Sequence, residues 1–99
     1  MNTSKTQENG RITIEIEGRL DTTTAPQLEA ELVPAFAEAG DIMLDFAKLE
    51  YVSSAGLRVL LIGQKAAKAK GASMTVSNVS EDIMEVLEMT GFDEMLTIV

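Results

Sequence analysis

Tyr51-Val52-Ser53-Ser54-Ala55-Gly56-Leu57-Arg58 is the stretch on which the reading of this chain turns. The run before it, Ile42-Met43-Leu44-Asp45-Phe46, has the make-up of a strand. The run that follows, Leu57-Arg58-Val59-Leu60-Leu61-Ile62, reads as a helix. Two small hydroxyl side chains therefore fall where a strand gives way to a helix. Backbone N–H groups are unpaired at such a place, and the helix dipole favours added negative charge. A serine there can cap the helix, or it can be a site where a phosphate is tolerated and read.

Working outward, Arg11-Ile12-Thr13-Ile14-Glu15-Ile16-Glu17 alternates apolar with polar residues, the pattern of a half-buried strand. Asn9-Gly10 before it is a favoured two-residue hairpin turn. Residues 3–8 are then a polar edge strand or, alternatively, a frayed terminus. Gly18 to Thr24 reads as a loop. Thr24 and Gln27 have capping-box spacing, with Pro26 in the first turn of the helix that follows. Leu28, Leu32, Ala35 or Phe36, and Ala39 continue at helical spacing, and Gly40 ends them. Pro34 is expected to remove the hydrogen bond to the Ala30 carbonyl and kink this helix.

Asp41 to Phe46 is predicted as a strand, its unbroken Ile42-Met43-Leu44 implying burial on both faces. The helix after Ser54 ends in Lys65, Lys68, Lys70 and Gly71, cations at its negative end and a C-cap glycine. Ala72 to Val76 is the next strand. Ser80 caps a helix with Glu81 and Asp82 in its first turn and Ile83, Val86 and Leu87 as its buried stripe. Thr90-Gly91-Phe92 closes it, and Met95 to Val99 is a last short strand. The order β-β-α-β-α-β-α-β predicts a single α/β domain. Its sheet is four- to five-stranded and mixed, with helices packed against it through right-handed crossovers.

Ninety-nine residues suffice for one core and no more. Trp is absent and aromatics are scarce, so that core is built from Leu, Ile, Val, Met and Ala. The formal net charge of −8 repels nucleic acid and anionic membranes and suits a partner with a basic face. No apolar segment has the length of a membrane span and no basic–apolar–small signal opens the chain. A cytoplasmic protein without direct membrane insertion is expected. The chain has no Cys and no His. This excludes disulfides, thiolate chemistry, Ser-His nucleophile pairs and the commonest zinc sites. No cofactor or metal is expected.

On a helical wheel, Val59, Leu60, Gly63, Ala66 and Ala67 form the core side of the helix after Ser54. Ser54, Arg58, Leu61 and Lys65 line up on the other side, a candidate docking stripe. Gly56 costs helix stability, up to about 1 kcal/mol relative to alanine. Its presence implies that some backbone, internal or foreign, comes close.

Gly18-Arg19-Leu20-Asp21, the strand Met43 to Phe46, Val52-Ser-Ser-Ala-Gly-Leu57 and Thr90-Gly91-Phe92 occur in that order and spacing. Together they resemble the STAS family, the domain of sulfate transporters and anti-sigma factor antagonists. The resemblance runs from residue 10 to residue 99. Short single-domain members look like bacterial anti-sigma factor antagonists. The resemblance implies that an anti-sigma factor, itself a serine kinase, phosphorylates one serine at this helix start. The unphosphorylated antagonist binds the anti-sigma factor and frees the sigma factor; the phosphorylated form lets go. The acceptor aligns with Ser54, with Asp21 nearby at the end of a neighbouring strand.

Many family members carry an aspartate before the phosphoserine and a second serine after it. Here those positions are Ser53 and Ala55, which makes Ser53 the alternative acceptor. The implied partner surface comprises Asp21, Thr22, Ser53, Ser54, Ala55, Gly56, Arg58, Leu61 and Lys65. The resemblance also admits a second function, an accessory subunit of a membrane transporter or signalling assembly. An enzyme acting on a phosphate compound through Asp21 and Ser54 has no His, Cys or glycine-rich loop to support it. A non-enzymatic binding module is therefore expected.

Overall fold

In the computed structural model, which describes residues 1–99, the alternating isoleucines lie in a ten-residue strand, β2 (Arg11–Leu20). Ile12, Ile14, Ile16 and Leu20 point into the core. The polar opening segment is strand β1 (Asn2–Glu8), antiparallel to β2. Asn9 and Gly10 connect them at φ of 51° and 79°, the left-handed conformation a two-residue hairpin of matching twist needs. The edge strand thus holds and the frayed alternative does not.

The remaining elements are α1 (Ala25–Glu38), β3 (Asp41–Val52), α2 (Ser54–Ala69), β4 (Ser73–Ser77), α3 (Glu81–Thr90), α4 (Phe92–Met95) and β5 (Thr97–Ile98). The sheet order is β1-β2-β3-β4-β5, and every pair after the first is parallel. Each parallel crossover steps one strand in the same direction. Right-handed crossovers then place α1, α2 and α3 on one face of the sheet. Burial agrees. Ile42, Leu44, Phe46, Met74 and Val76 are buried with the isoleucines of β2, while Thr13, Glu15, Met43, Asp45, Thr75 and Ser77 between them are only half-buried.

The expected burial of β3 on both faces is therefore corrected. Met43 lies between Thr13 and Thr75 on an open polar face. There Lys48 pairs with Glu15 at 3.1 Å and Asn78 donates to Asp45 at 3.0 Å. That pairing with Glu15, aided by the fields of Glu17 and Asp45, raises the Lys48 pKa. The core itself is a cluster of 24 buried apolar residues with no buried polar or charged residue.

Four boundaries also differ from expectation. Strand β3 runs on to Val52, because Leu49 and Val52 are buried and residues 48–52 pair with β2 after register shifts. For the same reason β2 absorbs Gly18-Arg19-Leu20, expected in a loop. Helix α1 runs unbroken through Pro34, whose ring is exposed, so the missing N–H falls on the solvent side. Met95 belongs to α4 and not to a strand, and only Thr97–Ile98 pair with β4.

Candidate functional site

Ser53 makes the corner from sheet to helix. Its N–H donates to the Leu20 carbonyl at 2.9 Å, tying the end of β3 to the end of β2. Its backbone is extended, and its Oγ accepts from the Gly56 N–H at 3.4 Å, so Ser53 is the cap of α2. Ser54 is the first residue of the helix. It is exposed, and its hydroxyl has no partner within the protein. The N–H groups of Ser54 and Ala55 likewise have no acceptor. The two adjacent serines thus divide the readings met in the sequence. One hydroxyl is used by the fold and the other is free.

Gly56 is buried. A Cβ at this position would lie 2.7 Å from Leu20 Cγ, 2.9 Å from the Leu20 carbonyl oxygen and 2.9 Å from Val52 Cγ2. The backbone that comes close is the chain's own. Gly56 therefore presents no surface to a partner, which corrects its inclusion in the docking surface. Gly63 repeats the device one layer down, where a Cβ would lie 2.5 Å from Leu32 Cδ2. Helices α1 and α2 can consequently lie close together.

Between the start of α1 and the outer side of α2 runs an open groove of about 680 Å³. Thr22, Ala25, Pro26 and Glu29 form one wall, and Ser54, Ala55, Arg58, Val59 and Ile62 the other. The structure thus gathers Thr22, Ser54, Ala55 and Arg58 from the expected set. Leu61 is half-buried and Lys65 is exposed, and neither lines the groove. The wheel placed the stripe along residues 54, 58, 61 and 65, whereas the groove follows the i, i+4 row Ser54–Arg58–Ile62. A wheel treats a helix alone and cannot see where α1 stands beside it. Ala25, Pro26, Glu29, Val59 and Ile62, which also line the groove, were not among the expected residues for that reason. The signal for Pro26 and Glu29 was the side of α1 away from Leu28 and Leu32.

Asp21 does not line the groove, though its neighbour Thr22 does. Its Oδ1 accepts from the Thr23 hydroxyl at 2.8 Å and from the N–H groups of Thr23 and Thr24 at 3.0 and 3.2 Å. The Thr23 hydroxyl foremost, with these amides, holds the Asp21 carboxyl below the usual carboxylate value. Thr24 stands at the cap position of α1 but makes no side-chain cap bond. Its hydroxyl instead donates to the Arg19 carbonyl at 2.8 Å and accepts from the Asp21 N–H at 2.8 Å. The expected capping box gives way to a tight turn centred on Asp21. Arg19, paired across the ladder with Tyr51, lays its guanidinium 4.1 Å from that ring's centroid beside the Ser53 corner.

Charge is distributed unevenly. Lys5, Arg11, Arg19 and Lys48 have carboxylate partners. Arg58, Lys65, Lys68 and Lys70 have none, and all four lie on α2 or at its C-cap. Helix α2 contains no Asp or Glu, whereas residues 71–99 carry six carboxylates and no Lys or Arg. No group of three or more His, Cys, Asp or Glu is placed to hold a metal ion. No helix is long and apolar enough to cross a membrane. The arrangement is an open groove with an exposed, unpartnered hydroxyl at its head.

The profile of a family described as "Mlab, STAS domain" matches residues 3–98 of the chain. The anti-sigma-B factor antagonist of Bacillus subtilis (strain 168) is 29% identical over 98 residues, covering 99% of this chain and 90% of that protein. Among solved structures, the anti-sigma factor antagonist SpoIIAA in its unphosphorylated form matches with a TM-score of 0.79 at 18% identity, covering 99% of this chain and 87% of that one. The Bacillus cell fate determinant SpoIIAA in the phosphorylated form matches with a TM-score of 0.76 at 20% identity, covering 99% and 91%. At these identities the two structures show a shared fold.

Proposed function

This chain belongs to the STAS domain family, and we propose that it is an anti-sigma factor antagonist switched by a phosphate on Ser54. In its unmodified form it docks an anti-sigma factor, itself a serine kinase, over the start of α2 and the α1–α2 groove. The sigma factor is then free. The kinase transfers the γ-phosphoryl group of ATP to Ser54 Oγ, ADP leaves, and the hydroxyl proton passes to solvent. The modified antagonist lets go. This reading places the protein in the cytoplasm with its partner and gives it no enzymatic activity of its own.

The observation that carries the reading is the contrast between the two serines. Ser53 Oγ accepts the cap bond from Gly56, and Ser54 Oγ is exposed and unbonded at the mouth of the groove. Esterifying Ser54 breaks nothing inside the domain. It adds roughly −1.5 to −2 charges and three acceptor oxygens where a partner must lie. A loss of about 3 kcal/mol at that interface weakens binding over a hundredfold. Thr22, Ser54, Ala55 and Arg58 form the centre of the proposed surface, with Asp21, Ser53, Leu61 and Lys65 at its margins.

The test is to incubate the protein with a candidate anti-sigma factor kinase and ATP and to follow its mass. Wild type and Ser53→Ala should each gain one phosphate, and Ser54→Ala should gain none. Labelling of Ser54→Ala at the wild-type level would remove Ser54 as the acceptor. Ser54→Asp should bind the unlabelled partner far more weakly than wild type, and equal binding would end the switch.

A further inference from the structure

We propose that Arg58 captures the phosphate on Ser54 within the same molecule, so that modification removes the only cation from the docking groove. The proposal rests on the preceding reading of Ser54 as the acceptor. Arg58 is the one Lys or Arg among the residues lining the groove. It is exposed and has neither an ion pair nor a side-chain hydrogen bond, so nothing in the fold holds it. It stands one helical turn beyond Ser54, and side chains four apart on a helix are neighbours, about 5–6 Å between Cβ atoms. The guanidinium fork matches phosphate oxygens in a way a carboxylate-free helix surface otherwise does not offer.

Glu29 on the facing wall completes the argument. It lines the same groove but forms no ion pair with Arg58. The unmodified groove therefore presents one free cation and one free anion to a partner. A phosphate on Ser54 is repelled from the Glu29 wall and drawn to the Arg58 wall. Once Arg58 has turned to the phosphate, the groove is anionic on both sides. The modification then acts by subtraction as well as by bulk, since the partner loses a cation it could pair with. The other three unpaired cations, Lys65, Lys68 and Lys70, lie outside the groove and supply only a distant field.

The experiment needs no kinase. Phosphoserine is placed at position 54 during synthesis, and its second ionisation, ordinarily near about 6, is followed by phosphorus NMR against pH. The same titration is run on chains that also carry Arg58→Gln or Lys65→Gln, both at exposed positions. A captured phosphate holds its dianion, so its pKa should be lower by about half a unit with Arg58 than with Gln at that position. Lys65→Gln should leave the value unchanged. Equal titration of the Arg58 and Arg58→Gln chains would overturn the proposal, and so would an equal effect of Lys65→Gln. Failure of the kinase to label Ser54 would instead sink the preceding reading while leaving this titration intact.

Discussion

Ser53 and Ser54 have the same side chain and adjacent numbers, and the backbone gives them different roles. Position decides the matter. The residue before the first helical turn must satisfy amides, and the residue inside it points outward. Gly56, three residues on, shows how sharply the same corner constrains its neighbours. Alanine there would gain up to about 1 kcal/mol of helix propensity. Its Cβ would meet the Leu20 carbonyl oxygen at 2.9 Å, and that carbonyl is itself held by the Ser53 N–H. Backbone pinned on both sides cannot step aside. Gly56→Ala is therefore expected to destabilise the domain by about 1–3 kcal/mol, read as a fall in the thermal midpoint of at least about 4 °C. An unchanged or raised midpoint would show that the glycine serves a surface and not the fold. From the sequence, the close approach at Gly56 was legible. Whether the approaching backbone was internal was not, because Leu20 and Gly56 are distant in the chain.

At the scale of elements, the local signals located the three long helices but not the four-residue α4, and the tertiary neighbours corrected their ends and faces. Pro34 marks the limit of the local argument. Taken alone, a proline inside an apolar stripe kinks or breaks a helix. In the molecule, Leu28, Leu32, Ala35 and Phe36 are buried on both sides of it, and this packing holds α1 together across the missing hydrogen bond. The element carries that cost without being broken by it. Pro34→Ala restores the N–H donor, worth about 3 kcal/mol in a helix interior. It also loosens the unfolded chain, which offsets about 0.4–1 kcal/mol of the gain. A net stabilisation of about 2 kcal/mol is expected, seen as a higher urea midpoint with an unchanged slope. No gain would mean that the carbonyl of Ala30 is already satisfied and that the helix is not strained there. The wheel of α2 teaches the same lesson about faces. It found the core side correctly, with Val59, Leu60, Gly63 and Ala67 buried. The groove runs along Ser54, Arg58 and Ile62 and not along the expected row of 54, 58, 61 and 65, because the wall opposite belongs to another helix.

The whole molecule is a one-sided sandwich with its charge sorted by region. Three crossovers stepping the same way leave one sheet face bare, and that face is built mostly from Thr, Ser and acidic side chains, with Met43 and Lys48 among them. The cations without partners gather on α2, and the last 29 residues hold six carboxylates with no cation. Within α3, Glu85 sits four residues from Glu81 and three from Asp82 and Glu88, so like charges adjoin on its exposed side. Such pairs cost a few tenths of a kcal/mol each and are relieved by salt. The thermal midpoint should accordingly rise by about 2–4 °C as salt increases from about 10 to about 150 mM. A falling midpoint would show that the four ion pairs outweigh the excess negative charge.

What the residues alone determined was the α/β class, the order of the strands and the three long helices, the turn signal at Asn9-Gly10, the apolar make-up of the core and the pair of hydroxyls at the start of α2. Each of these follows from contacts within a few residues or from simple periodicity, and such physics is written along the chain. The tertiary structure decided which serine caps and which is free, whose backbone crowds Gly56, which sheet face stays open and where the groove runs. These depend on residues far apart in sequence meeting at one corner, where Leu20 of β2, Val52 of β3 and the first turn of α1 close around the start of α2. Only the assembled sheet and its helices set those distances.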